Sequence, residues 1–384
     1  MSSEEKTNSN KKENNLNENL IIPKKQMFIA VIILFALIVV SAFLIMQFSN
    51  QDDNPVIPAN GNETGSEDRL PFIKIFLLET NCEECLSLDS LIESIKLLDV
   101  NVLEVKRIQA DSKEGQDLIK MHDIKFLPTL IVNGEFQGTQ LQEEWDLIGE
   151  EKNGVLIASM PPYYSLEEEK LIGKVKVLLI KNSDCNDCVD LSSFAQDLKA
   201  SGILVDEERT IEFDSEEAQE LFESYLIDRV PVVLIGGDIA EYQLFSFFWV
   251  QAGGTIESDN AFTYRQAVPY FDLFSEETKG LVEVTRLIDS NCFNCFDVSE
   301  LVVPLEQMGM KIIKDSTIEV SSPEGIALKE KYAITIVPTI IVSSQAEEYI
   351  DFFVVWPEVG SIEEDNNFVF RNYTGFEGEF VELE

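Results

Sequence analysis

The chain has 384 residues, enough for two or three ordinary domains, and its 45% hydrophobic and 10% aromatic content suits packed cores rather than a disordered polymer. A formal charge of −41 with a pI near 4.2 argues against nucleic acid and anionic membrane surfaces as partners, because both are polyanions. Cations and cationic partners fit the charge, which also serves solubility.

In chain order, the first element is an uncharged run of 22 residues, "MFIAVIILFALIVVSAFLIMQF", at 27–48. That length spans a bilayer as a helix. Its apolar core is longer than that of a signal peptide and no small-residue cleavage site follows, which predicts a retained anchor. Lys24 and Lys25 precede the run and Asp52 and Asp53 follow it. The positive-inside rule then predicts a cytoplasmic tail at 1–26 and a single-pass protein with the bulk of the chain extracytoplasmic. The polar, Asn-, Asp-, Gly- and Pro-containing stretch at 49–68 reads as a flexible linker. Asn62 and Asn372 begin glycosylation sequons, which act only in a host that uses them.

Beyond the linker the sequence repeats. Six cysteines form three CxxC pairs, Cys82/Cys85, Cys185/Cys188 and Cys292/Cys295, offset by 103 and then 107 residues. A proline behind an apolar residue (Pro128, Pro231, Pro338) lies 46 residues beyond the first cysteine of each pair. An apolar strand-like run precedes each pair ("FIKIFLL", "VKVLLI", "LVEVTRLI"), and a helical pattern follows it, as in Leu88, Leu91, Ile92, Ile95 and Leu98. After a second strand-like stretch, Asp111/Glu114, Asp214/Glu217 and Ser321/Glu324 have capping-box spacing and predict the start of a second helix. "WVQAGGTIESDNAFTYR" and "WPEVGSIEEDNNFVFR" match in the second and third copies. The first copy keeps Trp145 and a "PPYYSL" that parallels "VPYFDL", so the duplication runs the full length of the unit.

Strand, CxxC, helix, strand, helix and a proline-led strand is the layout of the thioredoxin fold, and all three units resemble the thioredoxin and glutaredoxin-like superfamily. The resemblance implies an α/β protein of three tandem thioredoxin-like domains, at 69–165, 166–275 and 276–384, behind the transmembrane helix. It implies that Cys82, Cys185 and Cys292 are nucleophiles and that Cys85, Cys188 and Cys295 resolve the mixed disulfide. Pro128, Pro231 and Pro338 would be cis-prolines shaping a groove where extended substrate backbone pairs with the strand end. The expected function is a membrane-anchored thiol-disulfide oxidoreductase acting on protein thiols and disulfides without an organic cofactor. None of the sites has the Trp-Cys-Gly-Pro-Cys of thioredoxins, the Cys-Pro-Tyr-Cys of glutaredoxins or the histidine of the disulfide isomerases.

Thiol-disulfide exchange needs an exposed thiolate, and the CxxC spacing is expected to put the cysteines on the first helical turn, whose unpaired N–H groups and dipole stabilise it. Like charge opposes it. Glu83 and Glu84 lie inside the first pair, and Asp184 and Asp187 flank and split the second. The third has the uncharged Phe293 and Asn294, with Asp289 and Asp297 as its nearest acids, so Cys292 is expected to be the most reactive thiol.

Three other readings stand beside this one. The pairs can be inert disulfides in a non-catalytic binding or scaffold protein, although so short a loop removes little chain entropy. Structural zinc needs about four ligands, and the only histidine, His122, falls in the second helix of the first unit, where a packing role is commoner, so no metal site is expected. Three acidic thioredoxin-like units also resemble the calsequestrins, whose surface carboxylates bind Ca2+ weakly. Here the acids are scattered in short runs without an extended tail.

Overall fold

The computed structural model describes residues 69–383, and the transmembrane helix and linker expected at 27–48 and 49–68 lie outside them. Alternating apolar side chains build the central strand of the first unit: in β1 (Phe72–Glu79), Ile73, Ile75 and Leu77 are buried with polar or half-buried residues between them. The chain then passes through α1 (Asp89–Ile95) to β2 (Asn101–Gln109), α2 (Lys113–His122), β3 (Phe126–Leu127), β4 (Thr129–Gly134), α3 (Gln140–Trp145), β5 (Glu150–Lys152) and β6 (Val155–Ala158). The sheet order is β2-β1-β4-β6-β5, with β1 and β2 parallel and the remaining pairs antiparallel. A hairpin of β7 (Tyr163–Ser165) and β8 (Lys170–Ile172) pairs β7 with β3.

The same order recurs twice. The second copy comprises β9 (Lys174–Lys181), α4 (Phe194–Ala200), β10 (Leu204–Glu212), α5 (Glu216–Tyr225), β11 (Arg229–Val230), β12 (Val232–Gly237), α6 (Gln243–Gln251), β13 (Thr255–Ile256), β14 (Phe262–Tyr264), and the hairpin β15 (Tyr270–Asp272) and β16 (Glu277–Lys279). The third has β17 (Leu281–Ile288), α7 (Val302–Gln307), β18 (Lys311–Glu319), α8 (Pro323–Lys331), β19 (Ile336–Val337), β20 (Thr339–Val342), α9 (Ile350–Val355), β21 (Gly360–Ile362), β22 (Phe368–Phe370) and β23 (Val381–Glu382). Their sheets are ordered β10-β9-β12-β14-β13 and β18-β17-β20-β22-β21.

Each sheet carries apolar clusters on both faces. One face of the first sheet buries Leu88, Ile92 and Ile95 of the predicted helical stripe together with Trp145, while Ile108, Ile124 and Leu127 cover the other. The repeated tryptophans are buried in equivalent places, and each indole N–H donates to a backbone oxygen: Trp145 to Ile157, Trp249 to Thr255 and Trp356 to Ser361, at 3.0 to 3.2 Å. Every second helix does begin at the predicted place, but its cap is one residue further on. Ser112, Ser215 and Ser322 accept from the N–H groups of Gly115, Ala218 and Gly325, whereas Asp111, Asp214 and Ser321 stand just outside.

The boundaries drawn at 165/166 and 275/276 fall at or inside the two hairpins, which pair back onto the preceding unit. The passage to the next sheet is a single glycine, Gly173 or Gly280, with φ of +110° and +82°. Both junctions use the same contacts. Tyr242 donates to the Gly173 carbonyl at 2.7 Å and Tyr349 to that of Gly280 at 2.8 Å, while each hydroxyl accepts a backbone N–H from Leu204 or Lys311. Tyr163 donates to Glu241 and Tyr270 to Glu348, at 2.7 and 2.8 Å, across the same junctions.

Candidate functional site

All three CxxC pairs are closed as disulfides, Cys82–Cys85, Cys185–Cys188 and Cys292–Cys295, with Cα atoms 5.4 to 5.5 Å apart. Each is a half-buried turn beyond the end of a central strand, and the residues between the cysteines are exposed, Phe293 at 95%. The peptide bonds before Pro128, Pro231 and Pro338 are cis. The sheet register sets these prolines opposite Glu79, Lys181 and Ile288, three or four residues before the first cysteine. Central strand, cysteine turn and proline therefore converge at one end of every sheet.

One expectation about the sites needs correction. The cysteines do not sit on the first helical turn: α1 starts at Asp89 and α4 at Phe194, and in the third unit a short 3-10 turn, 298–301, precedes α7. The backbone explains the delay. The residue after each second cysteine turns its N–H away from its own helix, Leu86 donating to the Pro162 carbonyl, Val189 to that of Pro269 and Phe296 to that of Glu379, at 2.7, 2.9 and 3.1 Å. The support of a helix N-terminus for a thiolate is correspondingly remote, because that field acts over the first turn.

The groove expected beside the prolines is bounded on one side. The strand end ahead of each cis-proline is already paired: Leu127 with Tyr164, Val230 with Phe271, and Val337 with Val381. The chain's own strands take one edge of it, and among the described residues no strand pairs with the other, where an extended substrate could add.

The acids about the sites are arranged by the tandem packing. Glu84 pairs with Lys174 at 3.5 Å and Asp187 with Lys311 at 3.9 Å, each lysine coming from the following unit. These exposed pairs offset part of the like-charge penalty expected at the first two sites. The third site carries its own charge, since the Ser299 hydroxyl and N–H hold the Asp297 carboxyl below its usual range. At the second site the Thr278 hydroxyl, on β16, lies 3.5 Å from Cys185 Sγ. Nothing in the sequence spacing marks this threonine, which reaches the sulfur only because the hairpin folds back.

His122 ends α2. Burial and the charge of Lys152 hold its imidazole below the usual range, hence neutral near pH 7. Among the described residues, no three His, Cys, Asp or Glu side chains gather as a metal ion would require. Also among the described residues, no helix is long and apolar enough to cross a membrane.

Fold and site together define a mixed α/β protein bearing repeated CxxC disulfides beside cis-prolines. No family model matches the chain, and no curated protein does. Among solved structures it is similar to an N-terminal domain of alkylhydroperoxide reductase AhpF from Enterococcus faecalis, at 16% identity over 44% of this chain and 81% of that one, with a TM-score of 0.15. It is also similar to ERdj5, at 14% identity over 79% of this chain and 38% of that one (TM-score 0.15), and to human ERp44, at 12% over 71% and 77% (TM-score 0.13). At such scores the fold rests on the sheet order above.

Proposed function

We propose that the chain is a membrane-anchored, extracytoplasmic thiol-disulfide oxidoreductase of three tandem thioredoxin-like domains that acts on protein thiols and disulfides. The observation that carries the reading is the threefold convergence of a half-exposed CxxC disulfide and a cis-proline at the end of a central strand. In the oxidising direction a substrate thiolate attacks Cys82, Cys185 or Cys292, and the intramolecular S–S bond breaks with its electron pair leaving on Cys85, Cys188 or Cys295. A second substrate thiolate then attacks the substrate sulfur of the mixed disulfide and releases the first cysteine. The substrate gives up two electrons and two protons, which the cysteine pair gains. In the reverse direction the first cysteine attacks and the second resolves.

The test is the full chain, in detergent, incubated with a reduced peptide dithiol and oxidised glutathione as the terminal oxidant and, separately, with an oxidised peptide and reduced glutathione to open the cysteine pairs. Turnover in either direction that is lost when Cys82, Cys185 and Cys292 are all changed to Ser supports the reading, and no turnover in both directions refutes it.

One observation favours the alternative of a scaffold with inert disulfides: one edge of the strand before each proline is already occupied, by β7, β15 and β23. On that reading peptide dithiols are neither oxidised nor produced, and the triple variant binds partners like the parent.

A further inference from the structure

The two junctions between units share their tyrosine contacts but differ beside the second helix of the preceding unit. In the second unit the Tyr225 hydroxyl donates to Asp259, and Arg265 donates to the Tyr225 carbonyl and to Glu257, at 2.6 to 2.8 Å. The third unit repeats the set with Tyr332, Asp365, Arg371 and Glu363. In the first unit the sheet register places Ser159 where those arginines stand and Lys152 where those glutamates stand, and His122 takes the place of the tyrosines. The turn between β5 and β6 is also shorter, with no counterpart of the Asp259 and Asp365 carboxylates. Lys152 pairs with Asp123 instead.

The smaller side chains leave room. A cavity of about 450 Å³ opens between the first and second units, with His122, Ser159 and Phe126 on one side and Leu198, Phe245 and Trp249 on the other. His122 is 7% exposed and its Nδ1 has no hydrogen-bond partner. A buried polar atom of this kind is usually paired, and because this one is closed to solvent it meets a cavity ligand only when the imidazole ring rotates. Size, location between units and a wall more apolar than polar are those of a small-molecule site. Asp123, Asp146, Glu150, Asp197 and Glu241 also line it, against Lys125 and Lys152, so the lining disfavours an organic anion.

We propose that this cavity binds an uncharged, largely aromatic or aliphatic small molecule, one polar group of which hydrogen-bonds the His122 imidazole. The cavity reaches Leu86, the residue after Cys85, but binding there uses no sulfur and stands whether or not the disulfides turn over.

The probe is 4-(hydroxymethyl)benzophenone, photo-crosslinked to the full chain in detergent, with the labelled peptides identified by mass. The expected result is saturable labelling concentrated on peptides that contain Met160, Leu198 or Phe245. Ser159→Arg, which restores the side chain of the other two units, should reduce that labelling at least about tenfold by filling the space. His122→Phe, which keeps the ring but removes the nitrogens, should reduce it about fivefold, the worth of one ordinary hydrogen bond. Circular dichroism of both variants reports whether the fold is kept. Labelling that is non-saturable or spread evenly over the three units overturns the proposal, as does saturable labelling of the walls that persists unchanged in a folded Ser159→Arg variant.

Discussion

The Thr278 hydroxyl stands 3.5 Å from Cys185 Sγ, although 93 residues separate the two in sequence. At the sheet position that Thr278 occupies opposite Phe271, the first unit has Leu171 opposite Tyr164. Cys185 therefore has a hydroxyl donor that Cys82 lacks. A hydrogen bond to a thiolate favours the charged form. In the reduced protein, Thr278→Val should slow alkylation of Cys185 near neutral pH about three- to tenfold, as expected for the loss of about 1 kcal/mol. Thr278→Ser should leave it within about twofold. Mass-resolved alkylation checks both, and it also tests the sequence-based ranking, in which Cys292 reacts first.

The pairs Glu84–Lys174 and Asp187–Lys311 link each of the first two CxxC turns to the next unit. Lys174→Gln should leave Glu84 uncompensated and slow alkylation of reduced Cys82 about twofold at low ionic strength, with no difference near 1 M salt, because exposed charges are screened there. An effect that survives high salt would point to displaced packing.

The serine caps make equivalent local predictions. Ser112→Ala removes the acceptor for the Gly115 N–H and should cost about 1 kcal/mol of local stability. Hydrogen exchange of the first-turn amides of α2 should speed up about fivefold while the matching amides of α5 and α8 keep their rates.

Asp365 gives the third unit an acid-sensitive contact. Burial raises its carboxyl, but hydrogen bonds from Lys331, Tyr332 and Asn367 outweigh this and hold it down to about 2, against an ordinary value of 3.8. Its folded-state value lies below the unfolded one, so its contribution is full above about pH 4 and is lost as pH falls toward about 2. Protection factors of the β21 and β22 amides should decline across that window in the parent. In Asp365→Asn they should start lower at pH 7 and change less.

The sequence made the repeat legible because cysteine and proline are rare and their spacing of 46 survives in every copy. The first-helix stripe from Leu88 to Leu98 was equally legible, since its period matches a helix and its members do reach one core. The caps were read one residue early because Asp111 and Ser112, like Asp214 and Ser215, are adjacent residues of capping type. Other features depend on tertiary placement. No local pattern reports that Leu86 gives its N–H to Pro162, which keeps the cysteines off the helix start, or that Lys174 reaches Glu84. The hairpins that take the edge beside each cis-proline were visible only as "YYSLEEEKLIG" and "YFDLFSEETKG", short runs whose pairing partner the sequence does not mark.

The central claim is that the three disulfides are redox centres rather than staples. The most direct test equilibrates the full chain across a series of glutathione and dithiothreitol buffers, traps free thiols by alkylation, and scores each pair separately by mass. The claim requires at least one pair to pass reversibly between disulfide and dithiol above about −300 mV, the level below which structural disulfides typically lie. If Cys82–Cys85, Cys185–Cys188 and Cys292–Cys295 all stay closed in buffers poised at that level, the claim is contradicted.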